Sequence, residues 1–421
     1  MKIAVVGGGS TYTPELVSGL SREHERLPVE ELVLHDIDAE RREVVGGLAA
    51  RMLDAQGFAA SLSVTDDLDR ALDGADFVLI QIRVGGQTAR LSDETVPLAC
   101  GCIGQETTGA GGFAKALRTV PVVLEIAERV RERSAPGAWI VDFTNPVGIV
   151  TRSLLNAGHR AVGLCNVAIW FQRWIAGLYD VDPARVLVDH VGLNHLTWIR
   201  HALVDGTDVL PALLAERGDD VSERVQLPSA LVQELGVLPS PYLHYFYRHD
   251  EVLEEQREGT PRAATVAEIE RELLELYRDP TLVEKPLLLE QRGGAFYSEA
   301  ATALVASLAA GTGDLQVVDV RNAGAVPGLA DDDVVELLAR ITTDGPLPLP
   351  QPALAPELLG LVQHVAAYER LTAETAITRD PVTARKALLT HPLIGQTAIA
   401  DELVELLTAA EPTSQVAEAA A

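Results

Sequence analysis

Short apolar segments alternate with helix-like segments over the first 165 residues, and this alternation restricts the possible folds more than any other feature. The apolar segments, each predicted to be a strand, are "KIAVV", "ELVLHDID", "ADFVLIQIRVGG", "GAWIVDFTNPVG" and "RAVGLCN". Helical patterns lie between them, and the one that contains Pro121 is predicted to break or kink there. Strand–helix alternation is typical of a doubly wound parallel sheet, so residues 1–165 are predicted to form an α/β domain.

A different pattern occupies residues 166–421. A helix over "VAIWFQRWIAGLY" precedes two paired strands over "ARVLVDHVGLNHLTWIRHALVDG", which end in an Asp-Gly turn. Further helices are predicted over "ATVAEIERELLELYRD", "AFYSEAATALVASLAAG", "VPGLADDDVVELLARI" and the region after Pro356. The proline-rich "DGPLPLPQPALAPE" is predicted to be a surface connection and "AEPTSQVAEAAA" a frayed terminus. Together these elements predict a second, α+β domain.

The charge of the chain excludes two classes of partner. With 61 acidic and 34 basic residues among 421, the formal net charge is −27, which repels nucleic acid and anionic membranes. Three cysteines do not form a disulfide framework, the first residues lack the pattern of a signal peptide, and no segment is long and apolar enough to span a bilayer. We therefore expect a cytoplasmic protein whose ligands are small molecules.

Three consecutive glycines, Gly7 to Gly9, follow the first strand and precede the first helix. In a Rossmann-type domain, such a turn lets the backbone approach the pyrophosphate of a dinucleotide. The third glycine of that fingerprint is missing, since Tyr12 stands in its position. Asp36 ends the second strand, where a carboxylate binds ribose hydroxyls, so NAD⁺ is favoured over NADP⁺; a tight turn in some other α/β protein is the alternative. The predicted cofactor-binding residues are Gly7, Gly9, Ser10, Thr11, Asp36 and Arg83.

Polar residues also follow the other predicted strands. Arg83 and Arg90 follow the third strand, Asn145 the fourth, and Cys165 with Asn166 the fifth. Ligands bind at the carboxyl ends of the strands in open parallel sheets. Each residue alone is compatible with ordinary capping or turn chemistry. The joint pattern, to which the glycine-dense loop "GQETTGAGGF" belongs, predicts a ligand site.

Two residues that are distant in the sequence are candidate metal ligands. Cys165 and His195 could hold one ion if the second domain folds over the strand ends, with water or substrate oxygens completing the coordination. Packing explains an isolated cysteine or histidine equally well. Tyr242, in "SPYLHYFY", could act as a base beside such an ion, while the two tyrosines after it are assigned to packing. Arg292 is a candidate anion clamp or an ordinary surface arginine.

These segments together resemble glycoside hydrolase family 4, the NAD- and metal-dependent glycosidases. The resemblance covers most of the chain, although the region from Ala325 onward contributes little to it. The motifs that carry it, in the family's order, are "GGGSTYTPEL", "HDID", "IRVGG", "IGQETTGAGG", "LRTVP", "DFTNPVGIVT", "GLCNV", "GLNHLTW" and "QRGGAFYSEAA".

The resemblance implies a fold like that of lactate and malate dehydrogenases and an oxidative route to hydrolysis. NAD⁺ takes a hydride from C3 of the sugar, a base removes the acidified C2 proton, the aglycone leaves from C1, water adds, and the hydride returns. The metal, typically Mn²⁺, polarises the C3 oxygen, and its ligands match Cys165 and His195. The base matches Tyr242. The family also implies a homodimer or homotetramer.

The residues after the metal cysteine distinguish subfamilies. Cys165-Asn166-Val167 resembles the 6-phospho-β-glucosidases, whereas Cys followed by His resembles the α-glycosidases and α-glucuronidases. Ala168 and Ala110 stand where the family usually has proline. A phosphorylated sugar is therefore the implied substrate. The residues predicted to bind it are Arg90, Asn145, Asn166 and Arg292.

Three other functions are compatible with the sequence. The first is another glycosidase of the same family, acting on α-glycosides or on unphosphorylated sugar. The second is an NAD-dependent hydroxy-acid dehydrogenase, in which His190 and Asp189 would form the catalytic pair and Cys165, His195 and Tyr242 would have no role. The third is a non-catalytic NAD-binding regulator, which leaves the polar strand ends unexplained.

Overall fold

The structure is a computed structural model that describes residues 1–294 and 296–408, and its centre is one sheet of thirteen strands. In chain order the strands are β1 (Lys2–Val6), β2 (Glu31–His35), β3 (Ser61–Thr65), β4 (Phe77–Ile80), β5 (Trp139–Asp142), β6 (Ala161–Gly163), β7 (Val186–Leu193), β8 (Leu196–Val204), β9 (Thr207–Asp208), β10 (Leu238–Pro239), β11 (Leu315–Arg321), β12 (Val334–Thr342) and β13 (Gly345–Pro348).

Eighteen α-helices in the described residues pack around this sheet. They are α1 (Thr13–Arg22), α2 (Ala39–Ala55), α3 (Leu68–Leu72), α4 (Gly86–Ala99), α5 (Gly109–Arg133), α6 (Val147–Asn156), α7 (Val167–Tyr179), α8 (Leu210–Glu216), α9 (Gly218–Val225), α10 (Ser229–Leu235), α11 (His244–Tyr247), α12 (His249–Glu258), α13 (Arg262–Tyr277), α14 (Leu289–Arg292), α15 (Tyr297–Ala310), α16 (Pro356–Thr378), α17 (Pro381–Thr390) and α18 (Thr397–Thr408). Among these helices, none has the length and apolar composition needed to cross a bilayer.

Half of the sheet is parallel, in the order β3-β2-β1-β4-β5-β6. Crossover helices connect parallel strands and cover both faces of the sheet, which explains why β1 and β4 are almost wholly apolar and buried. At the centre, Val5 of β1 pairs with Leu34 of β2 and with Leu79 of β4. This strand order confirms the predicted doubly wound sheet.

The other half is antiparallel and extends the same sheet through β6-β11-β12-β7-β8-β10, with β13 beside β12 and β9 beside β8. β11 joins the halves by pairing with β6, where Asp319 lies opposite Gly163. The predicted β7–β8 pair is present, and the Asp205-Gly206 turn at its end, which joins β8 to β9, has φ values of +50° and +80°. A division of the chain at residues 165/166 stays a prediction.

The predicted break at Pro121 is wrong, because α5 runs continuously from Gly109 to Arg133. Proline cannot donate to the carbonyl oxygen of Leu117, four residues earlier. The guanidinium of Arg379 donates to that oxygen at 2.7 Å and replaces the missing hydrogen bond. A distant side chain therefore satisfies the carbonyl oxygen that Pro121 leaves without its helical partner.

Three further sequence assignments change in the second half of the sheet and at its edge. The helix predicted over "VPGLADDDVVELLARI" is wrong, since β12 lies there between β11 and β7. A strand that is buried on both faces is apolar throughout and lacks the alternation that would identify it as a strand. The edge strand β3 was not predicted, because "SLSVT" is short and half-exposed. The segment "DGPLPLPQPALAPE" contains β13 and is more than a connection. "AEPTSQVAEAAA" lies outside the described residues.

Candidate functional site

A cleft of about 1190 Å³ opens at the carboxyl ends of the parallel strands. Single small-molecule sites usually measure roughly 300–1,000 Å³, so this cleft has room for more than one ligand. Its lining includes every predicted site residue except Thr11, Cys165 and His195. One cleft therefore joins the predicted cofactor-binding residues to the predicted sugar-phosphate-binding residues.

The glycine turn forms one wall of the cleft. Gly7 has φ +89°, and a Cβ on it would lie 2.8 Å from the carbonyl oxygen of Gln81. Its N–H donates to the carbonyl oxygen of His35 at 2.9 Å, which ties the turn to the end of β2. The N–H of Gly9 donates to Oδ2 of Asp36 at 2.8 Å. Close backbone approach of this kind requires glycine.

Asp36 is held in a fixed orientation beside this turn. Its Oδ2 accepts from Gly9, and its Oδ1 accepts from the N–H of Asp38 at 3.0 Å. Ser10, a predicted cofactor-binding residue, lines the cleft. Thr11 is fully buried behind the turn, and its carbonyl oxygen accepts from the hydroxyl of Tyr277 at 2.7 Å. Thr11 thus supports the turn from behind and does not line the cleft.

We expect Gly9→Ala to weaken NAD⁺ binding by roughly tenfold or more, because it displaces a charge-assisted contact of about 1.5–3 kcal/mol. The new Cβ would lie 2.7 Å from Cγ of Asp36 and 2.9 Å from Cβ of Arg41, so the Asp36 carboxylate must move away from its position. Gly47→Ala in α2 is the control, since its nearest neighbouring atom, on Arg51, lies at 3.5 Å. Titration calorimetry with NAD⁺ makes the comparison, and equal affinities for the two variants would contradict this role of the turn.

Glu106 lies at the centre of a group of cations in the cleft wall. Nζ of Lys115 donates to its Oε2 at 2.7 Å, Nε of Arg90 lies 3.2 Å from its Oε1, and Arg83 pairs with the same carboxylate. Arg90 also pairs with Glu94 at 2.8 Å. Burial acts to raise the pKa of Glu106, but the three cations outweigh it and hold this pKa well below its usual range. Because three cations face two carboxylates, this wall carries a net positive charge and is suited to bind an anion.

Arg292 belongs to a second group of this kind. Its Nε and Nη2 lie 3.0 and 2.9 Å from Oε1 of Glu270, while Nη2 of Arg41 donates to Oε2 of the same carboxylate at 3.0 Å. The Arg292 side chain is only 18% exposed and lines the cleft, so it is not an ordinary surface arginine. Two arginines that share one carboxylate retain net positive charge beside the cleft.

Cys165 and His195 are both buried, and each contacts a residue that lines the cleft. The hydroxyl of Tyr297, a cleft residue, lies 3.8 Å from Sγ of Cys165. Oγ1 of Thr107, another cleft residue, lies 3.1 Å from Nδ1 of His195. Burial lowers the pKa of His195 to about 4, so its ring is neutral at physiological pH, which is the form that binds metal ions.

The residues around this pair fit a cation that is completed by other oxygens. Among the described residues, no group of three or more His, Cys, Asp or Glu could hold an ion, so Cys165 and His195 leave most coordination positions to water or a sugar. Oδ1 of Asn145, which lines the same cleft, is buried and has no hydrogen-bond partner in the structure. A buried, unpaired oxygen indicates a missing partner. Burial also raises the pKa of the Cys165 thiol, and a cation would stabilise its thiolate.

Tyr242 lies in a single 3-10 turn, Pro241–Leu243, and lines the cleft. Its ring stacks on the imidazole of His195, with centroids 3.8 Å apart and planes inclined by 9°. Burial raises the pKa of Tyr242. Of the two tyrosines assigned to packing, Tyr245 also lines the cleft, whereas Tyr247 lies outside the lining. Asn166, the residue before α7, lies in the cleft wall as predicted.

The catalytic pair that a hydroxy-acid dehydrogenase would need is not formed. Nε2 of His190 lies 2.7 Å from Oε1 of Glu336 and is fully buried. Asp189 pairs with Arg200 at 2.8 Å. His190 and Asp189 of β7 therefore have different partners, and neither orients the other. This geometry removes the main support for that alternative.

Several residues of the site were not predicted. Lys115 has one signal in the sequence, since it is a lone charge in the apolar stretch "GGFAKAL". Glu270 has no such signal in the sequence, because it is one of several acidic residues in the helical segment "ATVAEIERELLELY". The backbone N–H groups of Gly109 and Leu393 face Nε2 and Nδ1 of His391 at 3.2 and 3.1 Å, at the start of α5. These contacts depend on tertiary packing that the local sequence does not encode.

His391 predicts a loss of stability in acid. Burial lowers its pKa from 6.5 to about 3, and a protonated ring would direct its own N–H groups at two backbone donors. Between these pKa values the unfolded chain binds one more proton than the folded chain, so the free energy of unfolding falls by ~1.4 kcal/mol per pH unit as the pH decreases. Denaturant unfolding of His391→Asn between pH 6.5 and 4.5 should show a slope shallower by that amount, and an unchanged slope would contradict the assignment.

Two family models match the chain. The model of the family 4 glycosyl hydrolases covers residues 2–181, and the model of the C-terminal domain of the same family covers residues 190–394. The chain belongs to family 4 of the glycosyl hydrolases. The resemblance predicted from the motifs is thereby confirmed, and it extends into the region after Ala325 that the motifs did not cover.

Individual family 4 relatives match nearly the whole chain. A probable 6-phospho-β-glucosidase of Bacillus subtilis is 42% identical over 422 residues, which cover 96% of this chain and 95% of the relative. The solved 6-phospho-β-glucosidase of Thermotoga maritima, determined with manganese, NAD⁺ and glucose 6-phosphate, has a TM-score of 0.91 at 36% identity and covers 97% of each chain.

A more distant structure shows the fold alone. The malate dehydrogenase of Plasmodium falciparum has a TM-score of 0.56 at 15% identity, over 89% of this family 4 chain and 98% of the dehydrogenase. The expected likeness to the lactate and malate dehydrogenases is confirmed.

Proposed function

We propose that this chain is a 6-phospho-β-glucosidase that uses NAD⁺ and a divalent metal ion, Mn²⁺. The observation that carries the proposal is one cleft that holds the glycine turn with Asp36, the ring of Tyr242 stacked on His195, and two groups of cations. A cofactor cradle alone would also suit a dehydrogenase. The combination with a buried thiol–imidazole pair suits family 4 chemistry.

The residues of the cleft have separate roles in this proposal. When bound, NAD⁺ supplies reversible hydride transfer at C3 of the sugar, and Mn²⁺ held by Cys165 and His195 supplies polarisation of the C3 oxygen. Asp36 binds the cofactor ribose. Tyr242 takes the C2 proton on its phenolic oxygen, since stacking on His195 holds the ring beside the metal position.

The remaining cleft residues orient the sugar and its phosphate. The amides of Asn145 and Asn166 bind sugar hydroxyls. Arg90 and Arg292 bind the 6-phosphate, because each is half-buried in the cleft wall within a group of net positive charge. In a chain with a net charge of −27, such local arginines are needed to attract a dianion.

The β-specific subfamily is proposed from Cys165-Asn166-Val167. The two alanines that replace family prolines are compatible with this assignment. Ala110 and Ala168 are each the second residue of a helix, α5 and α7, where the backbone is helical with either residue. Both positions lie in the first turn of a helix, where proline is also tolerated.

Arg90→Gln tests the phosphate site. Loss of one charged hydrogen-bond donor should lower kcat/KM for p-nitrophenyl-β-glucoside 6-phosphate by about 10–100-fold and affect the unphosphorylated glucoside much less. Arg118→Gln is the matched control, because Arg118 pairs with buried Asp93 at 2.6 Å and does not line the cleft. If both variants lose activity equally on both substrates, Arg90 is not a phosphate ligand.

The proposed function is tested by hydrolysis of p-nitrophenyl-β-glucoside 6-phosphate under reducing conditions. Cleavage should require both NAD⁺ and Mn²⁺ and should stop when EDTA is added. Faster cleavage of the α-anomer or of the unphosphorylated glucoside would assign the chain to another specificity within the family. Steady NADH formation from a hydroxy acid, without glycoside cleavage, would refute the proposal.

The biological setting is also a proposal. We propose a cytoplasmic homodimer or homotetramer in which residues 1–165 bind the cofactor and residues 166–421 complete the sugar site and the oligomer interface. Support for a reducing compartment comes from three buried cysteines that form no disulfide, and the oligomer is what the family resemblance implies. Leu287 and Ile377, at 82% and 62% exposure, are apolar side chains that such an interface could cover. Sedimentation equilibrium measures the assembly, and a monomer at micromolar concentration would contradict it.

A further inference from the structure

Tyr12 occupies the position of the missing third glycine and connects the glycine turn to Arg292. Its backbone N–H lies 3.2 Å from Oγ of Ser10, so Tyr12 is part of the turn. Its side chain is buried, and its hydroxyl donates to the carbonyl oxygen of Gly294. The guanidinium carbon of Arg292 lies 5.7 Å from the centre of the Tyr12 ring. A residue of the cofactor turn thus contacts the segment that carries the proposed phosphate ligand.

The segment that Tyr12 contacts has little local support of its own. Gly293 and Gly294 follow Arg292 directly and have φ values of +91° and +85°. Glycine has the widest choice of backbone conformations, so contacts from elsewhere must select the one that places Arg292 in the cleft. Tyr12 supplies such a contact, and a Cβ on Gly294 would lie 3.4 Å from its ring.

Glu270 forms a second connection between the two halves of the cleft. One of its oxygens binds Arg292, and the other accepts from Arg41 at 3.0 Å. Arg41 lies against the cofactor cradle, since its Cβ is 2.9 Å from the position of a Cβ on Gly9. The orientation of Arg292 therefore depends on residues beside the glycine turn through two separate contacts.

We propose that Tyr12 and Glu270 are positioning residues that couple the binding of NAD⁺ to the binding of the sugar phosphate. NAD⁺ on the glycine turn fixes Tyr12 and Arg41, and these fix Arg292 in its phosphate-binding position. Coupling of two ligands is reciprocal, so the sugar phosphate also tightens the binding of NAD⁺ by the same factor. This inference rests on the proposed function, because it takes Arg292 as a ligand of the 6-phosphate.

The test is titration calorimetry with glucose 6-phosphate on the full chain, with NAD⁺ either absent or saturating. The unmodified chain should bind glucose 6-phosphate at least about fivefold more tightly with NAD⁺, the low end of usual coupling between sites. Tyr12→Phe keeps the ring under Arg292 but removes the bond to Gly294, and the ratio of the two affinities should fall below about twofold. Tyr368→Phe is the matched control, since its buried hydroxyl donates to the carbonyl of Gly109 at 2.9 Å; its ratio should equal that of the unmodified chain.

The ratio of the affinities for glucose 6-phosphate with and without NAD⁺ separates coupling from a merely structural role. A structural role would weaken both affinities alike and leave their ratio unchanged. Glu270→Gln gives an independent measurement through the second contact and should also reduce the ratio. An unchanged ratio in both variants, or no coupling in the unmodified chain, overturns the inference while the proposed function stands. If glucose 6-phosphate does not bind even with NAD⁺ present, both the proposed function and the inference fail.

Discussion

Cys165→Ser is expected to lower kcat/KM by more than about 100-fold, because loss of even an outer-shell partner of a metal costs roughly 10–100-fold. A serine hydroxyl does not ionise as a thiol does and is a poor replacement for a thiolate ligand. Cys100→Ser is the matched control. Cys100 is also buried, but it lies at the end of α4 in the apolar core and outside the cleft lining.

Two measurements distinguish a ligand from a packing residue. Elemental analysis of the purified variants should show Mn²⁺ in Cys100→Ser and little in Cys165→Ser, and thermal unfolding should show similar stability losses for both. If the two variants lose activity to the same extent and hold equal amounts of metal, Cys165 serves only in packing. His195 would then need another explanation for its burial beside Thr107.

Tyr242→Phe is expected to lower kcat by about 10²–10⁴-fold, the usual contribution of a general base. The substitution removes only the phenolic oxygen, so the ring still stacks on His195 and the affinity for NAD⁺ should not change. Tyr247→Phe is the control, because Tyr247 lies outside the cleft lining and should retain nearly all activity. Steady-state kinetics measures kcat, and calorimetry on the same preparations measures the affinity for NAD⁺.

Tyr245→Phe tests whether a neighbouring phenol, instead of Tyr242, is the base. Tyr245 lines the cleft and has its ring centroid 6.3 Å from that of Tyr242, so it is a competing phenol. A much larger loss in Tyr245→Phe than in Tyr242→Phe would transfer the role of base to Tyr245. Equal small losses in both would remove these two tyrosines from the proposed reaction.

The parallel half of the fold, apart from its edge strand β3, could be predicted because its signals are local. β1 and β4 are short, apolar and buried on both faces, and the Gly7–Gly9 turn separates β1 from an amphipathic helix. The antiparallel half was harder to predict from the sequence. β12 is buried between β11 and β7, so its apolar run carries no period that separates a strand from a helix.

The candidate site also contains residues that could be predicted from the sequence and residues that could not. Residues at strand ends, such as Asp36, Asn145 and Asn166, were predictable because parallel strands bring their carboxyl ends to one edge. Glu270 and Lys115 act on arginine and glutamate side chains from helices α13 and α5. Whether a charged helical residue faces a cleft or solvent depends on helix packing, which one sequence without its tertiary contacts does not specify.

Removal of the C2 proton distinguishes the proposed reaction from direct displacement at C1, and deuterium incorporation detects it. Hydrolysis of p-nitrophenyl-β-glucoside 6-phosphate in D₂O, followed by proton NMR of the glucose 6-phosphate formed, reports whether the C2–H bond is broken. If Tyr242 removes the C2 proton and water later adds to the eliminated sugar, the product carries solvent deuterium at C2. A product that retains its original proton at C2 would contradict the proposed reaction and indicate direct displacement at C1.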